Sequence, residues 1–181
     1  FNFQNVCHME AANLIDQSQA NDGNIINWNW DIDNNNTIDY NTASVAHLYP
    51  NPGYYDILFS VTNSFNCTDT ISYLIEIFDL PIADFLANNV CQDSITNFQN
   101  TSTINNGSII NYNWDFDNGN NSTLIHPNEL FNNEGVYNVS LIVESSNGCF
   151  DTIVNPVEVY PNPIAFFNAI DTCFGSTIDF T

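Results

Sequence analysis

The chain has 181 residues, of which 21 are Asp or Glu, three are His and none is Lys or Arg, so its formal charge at pH 7 is −21. Because nucleic-acid binding and phosphoryl transfer depend on Lys and Arg, this composition excludes a nucleic-acid partner and argues against a phosphoryl-transfer enzyme. No apolar run approaches the ~20 residues of a membrane span, so direct membrane insertion is excluded as well, and we expect an internal segment of a mature protein.

The first clear element is a strand that begins near Ile26. Its large apolar residues alternate with Asn and Asp: Ile26, Trp28, Trp30 and Ile32. Since successive side chains of a strand point to opposite faces, we expect the aromatic set inward and the Asn/Asp set outward. A second strand of this kind contains Tyr55, Ile57, Phe59 and Val61, and a turn at 63–66 follows it.

The same features return about 82 residues later, so the chain contains an internal repeat. Asn-Trp-Asp-Ile-Asp-Asn at 29–34 matches Asn-Trp-Asp-Phe-Asp-Asn at 113–118. The alternating apolar residues of the second copy are Ile110, Tyr112, Trp114 and Phe116, then Tyr137, Val139, Leu141 and Val143. Trp30 lies 19 residues before Tyr49, whereas Trp114 lies 17 before Phe131. The first copy therefore has two extra residues near Asn34, which we place in a surface loop.

The repeat divides the chain into two full units and the opening of a third. We predict one domain at 1–80, which lacks its leading residues, a second at 81–162, and the first strands of a third repeat at 163–181. Short strands in a unit of about 80 residues are typical of an immunoglobulin-like sandwich. We therefore expect an all-β chain of tandem sandwiches, joined semi-rigidly at short Pro-marked junctions. We also expect it to belong to a longer array; the alternative is that its last strand completes a neighbouring subunit.

The motifs of both copies resemble the polycystic-kidney-disease-type (PKD) repeat. Trp-Asp-Phe-Asp-Asn-Gly at 114–119 and Gly-Val-Tyr-Asn-Val at 135–139 are similar to the Trp-Asp-Phe-Gly-Asp-Gly and Gly-x-Tyr-x-Val of that family. His-Leu-Tyr at 47–49 matches its His-x-Tyr, although Asp-Asn-Asn at 33–35 lacks the family's glycine. The resemblance implies immunoglobulin-fold repeats of large secreted or surface bacterial proteins, with a spacer, adhesive or assembly role and no catalysis.

Five cysteines occupy repeat-equivalent positions: the early cysteines are Cys7, Cys91 and Cys173, and the late cysteines are Cys67 and Cys149. We expect disulfides within each repeat, Cys7–Cys67 and Cys91–Cys149, with Cys173 pairing beyond Thr181. A Cys67–Cys91 bond between repeats and free buried thiols are the alternatives, because spacing alone does not fix connectivity. Disulfides would place the protein outside the cytoplasm, extracellularly or at the cell surface.

The chain has no Lys or Arg to pair with its carboxylates, so a cation bound from solution is the expected partner. Calcium is the candidate, because it prefers several oxygen ligands. Oxygen-bearing side chains cluster where the first repeat is longer, and the second repeat has two counterparts; the candidate calcium ligands are Asp31, Asp33, Asn35, Asp39, Asp115 and Asp117. The alternative is a solvated acidic face beside a turn. No other cofactor is expected.

The aromatic residues of the alternating strands favour core packing over sugar stacking, with Trp30, Trp114, Tyr55 and Tyr137 as core anchors. The three histidines, His8, His47 and His126, form no repeated constellation with Ser or Asp, so we expect no catalytic triad. His47 lies in the His-x-Tyr motif and is interpreted as a hydrogen-bonding corner residue.

Three functions agree with these observations. The first is a non-catalytic structural protein of a stalk, surface layer or filament, whose partners are further copies of the repeat or chain. The second is an adhesin-type module for cell-surface glycans or proteins, calcium-dependent in one version. The third is an accessory region of a large secreted hydrolase.

Overall fold

The computed structural model describes residues 1–167, which form strands, turns and loops with no helix in that range. The strands of the first repeat are β1 (Val6–Cys7), β2 (Ala12–Ile15), β3 (Ile25–Asp31), β4 (Ser44–His47), β5 (Gly53–Asn63) and β6 (Thr68–Phe78). Those of the second are β7 (Phe85–Ala87), β8 (Val90–Cys91), β9 (Ile95–Asn100), β10 (Ile109–Asp115), β11 (Asn121–Ser122), β12 (Asn128–Leu130), β13 (Gly135–Ser145) and β14 (Phe150–Tyr160). Within this part of the chain no helix is long and apolar enough to cross a membrane.

Each repeat is a sandwich of two sheets. In the first repeat the sheet β1-β6-β5-β3 packs on the pair β2-β4, and in the second the sheet β11-β10-β13-β14-β8 packs on β12-β9-β7. A short early strand runs parallel to the last strand in both repeats, β1 beside β6 and β8 beside β14, and the other pairings are antiparallel. The predicted all-β fold of tandem immunoglobulin-like sandwiches is confirmed.

Each repeat has a hydrophobic core of its own. Trp30 and Trp114 occupy the two cores with 0% of their surface exposed. Each indole N–H donates to a backbone carbonyl, Thr42 at 2.8 Å and Leu124 at 2.9 Å. Because a buried polar group is costly unless it is hydrogen-bonded, these carbonyls allow the whole tryptophan side chain to be buried.

The long hairpins follow the predicted alternation. Val139, Leu141 and Val143 are fully buried, and Ile57 and Phe59 are their first-repeat counterparts. The tyrosines that begin these alternating sets are half-buried, and each hydroxyl donates to a carbonyl four residues upstream, Tyr55 to Asn51 and Tyr137 to Asn133.

The prediction that Ile26 and Ile110 point inward is wrong, because their side chains are 55% and 53% exposed. The register of β3 against β5 shifts between Ile25 and Asn27, and β10 shifts against β13 at the equivalent place. A bulge adds one residue to a strand and so exchanges the faces on either side of it. Ile25 and Ile109 are the half-buried residues upstream of the two bulges.

Residues 168–181, which contain Cys173 and most of the predicted opening of a third repeat, lie outside the described residues. The exact domain limits 1–80 and 81–162 stay a prediction.

Candidate functional site

The loop that follows β3 gathers three carboxylates. The backbone N–H groups of Asp39 and Tyr40 both donate to the carbonyl of Trp30, at 2.7 and 3.3 Å, and so close the loop. One oxygen from each of Asp31, Asp33 and Asp39 lies within 4.8 Å of the other two. Within residues 1–167, no other set of three or more acidic, His or Cys side chains comes this close together.

Asp31 is buried, with 1% of its surface exposed, so the prediction that it points outward is wrong. Its two carboxylate oxygens accept hydrogen bonds from the backbone N–H groups of Asn35 (3.0 Å) and Asn36 (2.8 Å). These bonds offset the cost of removing the charge from water. Asn34 and Asn36 have φ of 54° and 68°, a left-handed conformation that Asn tolerates better than most residues. The segment that carries the two extra residues therefore wraps around the Asp31 carboxylate.

The predicted ligands of the second repeat do not form such a group. Asp115 accepts from the backbone N–H of Asp117 at 3.0 Å, and Asp117 accepts from the backbone N–H of Asn138 at 2.9 Å. Asn35 of the first repeat uses its side-chain oxygen locally, since it accepts from the backbone N–H of Thr37 at 2.8 Å. The structure thus brings together Asp31, Asp33 and Asp39, and calcium binding there stays a prediction.

His47 lies beside this loop and contacts two tyrosines, Tyr40 and Tyr49. Its Nδ1 shares a 2.9 Å hydrogen bond with the hydroxyl of Tyr40, and its ring meets that of Tyr49 edge-on at 4.6 Å between centroids. Burial lowers the pKa of His47, and the opposing attraction of the Asp39 and Asp33 carboxylates does not reverse that shift. The lowered pKa favours the neutral imidazole at pH 7.

The other two histidines lie elsewhere. His8 Nε2 is 3.2 Å from the carbonyl oxygen of Pro50, and His126 Nδ1 accepts from the backbone N–H of Asn100 at 3.1 Å. Each histidine therefore makes its own local contact.

Trp28 and Tyr112 are half-buried beside the two cores. The indole N–H of Trp28 donates to Asp16 at 2.6 Å. Burial raises the pKa of Asp16, but hydrogen bonds from Ser18 and Trp28 outweigh it and leave that pKa below the ordinary value. Both aromatic side chains thus pack against the cores.

The two repeats are joined by a disulfide between Cys7 and Cys149, with 5.7 Å between the Cα atoms and 142 residues of sequence separation. Beside this bond the side chain of Asn106 donates to the carboxylate of Asp79. Residues of both repeats line a groove of about 300 Å³ there, among them Tyr54 and Asn147.

The predicted pairings Cys7–Cys67 and Cys91–Cys149 are wrong, and the alternative Cys67–Cys91 bond is not formed, since Cys67 and Cys91 are free and exposed. Cys7 pairs with Phe78 at one end of β6, whereas Cys67 precedes the other end. Eleven strand residues separate these ends, which is about 35 Å at 3.2–3.4 Å per residue. A disulfide requires Cα atoms within about 7 Å, so the two cysteines of one repeat cannot meet.

A family model described as "PKD domain" matches residues 3–77 and 79–159. This chain belongs to the PKD domain family. The resemblance seen in the motifs of both repeats is thereby confirmed, and the match covers the two sandwiches described above.

Among curated proteins, two Vibrio enzymes contain segments similar to this chain. The chain is 39% identical over 67 residues to a "Microbial collagenase" of Vibrio alginolyticus, which is 37% of this chain and 8% of that protein. It is 39% identical over 61 residues to "Pre-pro-metalloprotease PrtV" of Vibrio cholerae, which is 34% of this chain and 7% of that protein. The chain thus matches less than a tenth of the length of these relatives.

Two solved structures of single PKD domains are also similar. The PKD1 domain of Vibrio cholerae metalloprotease PrtV is 33% identical and matches 45% of this chain and 98% of that one, with a TM-score of 0.42. The PKD1 domain of Vibrio anguillarum Epp is 28% identical and matches 46% of this chain and 96% of that one, with a TM-score of 0.44.

Proposed function

We propose that these PKD repeats form a non-catalytic extracellular spacer that keeps its two sandwiches joined under tension. The observation that carries this proposal is the disulfide between Cys7 near the start of the first repeat and Cys149 in the second. A bond of this kind forms in oxidising compartments, which supports an extracellular or cell-surface location.

The disulfide changes the covalent path that a pulling force follows. Tension applied at the two ends of the chain passes through the sulfur atoms and bypasses the backbone between Cys7 and Cys149. All strands from β2 to β13 lie in the bypassed segment. The first repeat is therefore shielded from extension even after its hydrogen bonds break.

Single-molecule force spectroscopy tests the spacer role. Fully stretched backbone measures about 3.3–3.6 Å per residue, so the bypass of a 142-residue separation shortens the unfolded length by roughly 480 Å. We expect this difference between oxidised protein and a Cys7→Ser variant, with Cys91→Ser as the matched control that keeps the short length. Equal lengths for the oxidised protein and Cys7→Ser would reject the proposed function.

The relatives favour a second candidate, an accessory region of a secreted hydrolase. Similar segments occur in a collagenase and in a metalloprotease. A co-sedimentation assay with insoluble collagen separates the two candidates: the accessory role expects the chain to bind, and a pure spacer stays in the supernatant. Adhesion to cell-surface glycans gains no support from Trp28, Trp30, Tyr112 and Trp114, which are buried or half-buried.

A further inference from the structure

We propose that each repeat is disulfide-bonded to the next copy of the repeat, so that the early cysteine of one copy joins the late cysteine of the copy that follows. Cys7–Cys149 is one such bond. Cys91 would take the late cysteine of a following copy, and Cys67 the early cysteine of a preceding one. This inference deepens the proposed spacer function and rests on it for the choice of partner.

The two early cysteines have the same backbone setting. Cys7 pairs with Phe78 and Cys91 pairs with Tyr160, in each case at the end of the parallel ladder beside the last strand. The carbonyl of each cysteine accepts a hydrogen bond from the backbone N–H three residues later, at 3.0 and 3.1 Å. Cys91 therefore occupies the same position in the second repeat that Cys7 occupies in the first.

The two late cysteines also match. The carbonyl of Cys149 accepts from the backbone N–H of Ser145 at 2.8 Å, and the carbonyl of Cys67 accepts from that of Asn63 at 3.0 Å. The backbone N–H of Cys149 donates to the Ser145 hydroxyl at 3.1 Å, and that of Cys67 donates to the Asn63 side chain at 3.0 Å. The residue before each cysteine is left-handed, with φ of 78° and 62°.

The difference between the equivalent cysteines lies in their partners. Cys149, which is bonded across the junction, is 1% exposed. Cys67 and Cys91 are free and exposed. They lie at the outer ends of the two long hairpins, each about 35 Å along its last strand from the junction. They therefore cannot reach each other within one chain, and a further copy of the repeat supplies the matching thiol at each end.

The sequence also contains the start of such a copy. Pro-Ile-Ala at 163–165 repeats Pro-Ile-Ala at 81–83, so the segment after Tyr160 enters a third repeat at the same point. A following sandwich placed as the second is placed after the first would bring its late cysteine to Cys91.

The bond forms by ordinary thiol–disulfide exchange. A low-molecular-weight disulfide accepts two electrons and two protons from the pair of thiols and leaves as two small thiols, while the two cysteine sulfurs join. No group beyond that oxidant is required.

The test is a protein of residues 1–162 followed by a second copy of residues 81–162, refolded with a mixture of reduced and oxidised glutathione. The second copy is labelled with a heavy isotope and ligated to the first, so that peptides of identical sequence from the two copies differ in mass. The added segment contains a complete core of its own. Free thiols are alkylated, and disulfide-linked peptides are mapped after digestion with an Asp- and Glu-directed protease, since the chain has no Lys or Arg for trypsin.

We expect a Cys7–Cys149 peptide and a second linkage from Cys91 to the late cysteine of the added copy, leaving two alkylated cysteines, Cys67 and the added early cysteine. With Cys91→Ser we expect the added late cysteine to become alkylated as well. A normal Cys7–Cys149 bond together with four alkylated cysteines, or a Cys67–Cys91 linkage, would overturn the inference and leave the spacer proposal intact. Absence of the Cys7–Cys149 bond would overturn both.

Discussion

Thr96 shows at the scale of one residue where the second core is imperfect. Its hydroxyl is buried and is the one such side-chain atom within residues 1–167 that lacks a hydrogen-bond partner. The equivalent residue of the first repeat is Ala12, which is also fully buried but has no polar atom in its side chain. An unpartnered buried hydroxyl costs about 1–3 kcal/mol, so Thr96 destabilises the second repeat.

We predict that Thr96→Val raises the free energy of unfolding of the second repeat by about 1 kcal/mol, because Val keeps the shape and removes the unpartnered hydroxyl. Denaturant unfolding measures the change. Ala12→Thr is the matched variant in the first repeat and should lower stability. A less stable Thr96→Val protein would show that the hydroxyl has a partner in solution.

His47 gives a second prediction at this scale, because burial lowers its pKa below the 6.5 of an unfolded histidine. Below pH 6.5 the unfolded chain binds a proton that the folded chain resists, so the contribution of His47 to stability is full above pH 6.5 and declines as pH falls through the lower folded pKa. Melting temperatures of the natural protein and His47→Gln, compared from pH 7.5 to 5, should converge toward acid pH. A difference that widens toward acid pH would contradict this sign.

At the scale of strands and hairpins, the period-two pattern predicted the long strands because one face of each is buried and a buried face imposes strict alternation. It failed at Ile26 and Ile110, since a bulge changes which face a residue occupies and leaves no mark in the alternation itself. Asp31 was misplaced because its burial depends on two backbone N–H groups of its loop, a tertiary feature.

The predicted cysteine pairing is wrong because the two cysteines of one repeat lie beside opposite ends of its last strand. The late cysteine precedes an 11-residue strand and the early cysteine pairs with the far end of that strand. The spacing of the cysteines does not reveal that the early cysteine lies beside the end of the last strand. Which cysteines then meet depends on how neighbouring repeats pack, and spacing within one chain does not determine that packing.

We predict that Cys149→Ser lowers thermal stability under oxidising conditions, because it opens a loop of 142-residue separation. The entropy of such a loop corresponds to as much as about 5 kcal/mol. Cys67→Ser, in the equivalent exposed position, should leave the melting temperature unchanged. Natural protein treated with a reductant separates loss of the bond from the effect of the serine itself. Equal melting temperatures under oxidising conditions for the natural protein, Cys149→Ser and Cys67→Ser would contradict the prediction.

At the scale of the whole molecule, 21 carboxyl groups face no Lys or Arg, so their mutual repulsion is relieved only by ions from solution. The Debye length falls from about 30 Å at 0.01 M salt to about 8 Å at 0.15 M. We predict that sodium chloride raises the melting temperature by a few degrees over this range. A melting temperature that falls or stays constant would show that the charges are too far apart to matter.

Calcium should act beyond this general screening if Asp31, Asp33 and Asp39 hold it. We predict a further rise in melting temperature with millimolar calcium at constant ionic strength, lost in Asp33→Asn and kept in Asp117→Asn, the matched variant of the second repeat. These choices follow from the carboxylate group that forms in the first repeat. A melting temperature that calcium does not change would show that these three carboxylates bind no calcium.

The bond from Cys7 to Cys149 also turns most of the chain into a covalent ring. One hydrolysed peptide bond inside that ring, for example in the exposed loop at 33–37, yields two pieces that the cystine still holds together. A single proteolytic cut there would therefore nick the molecule and release neither fragment.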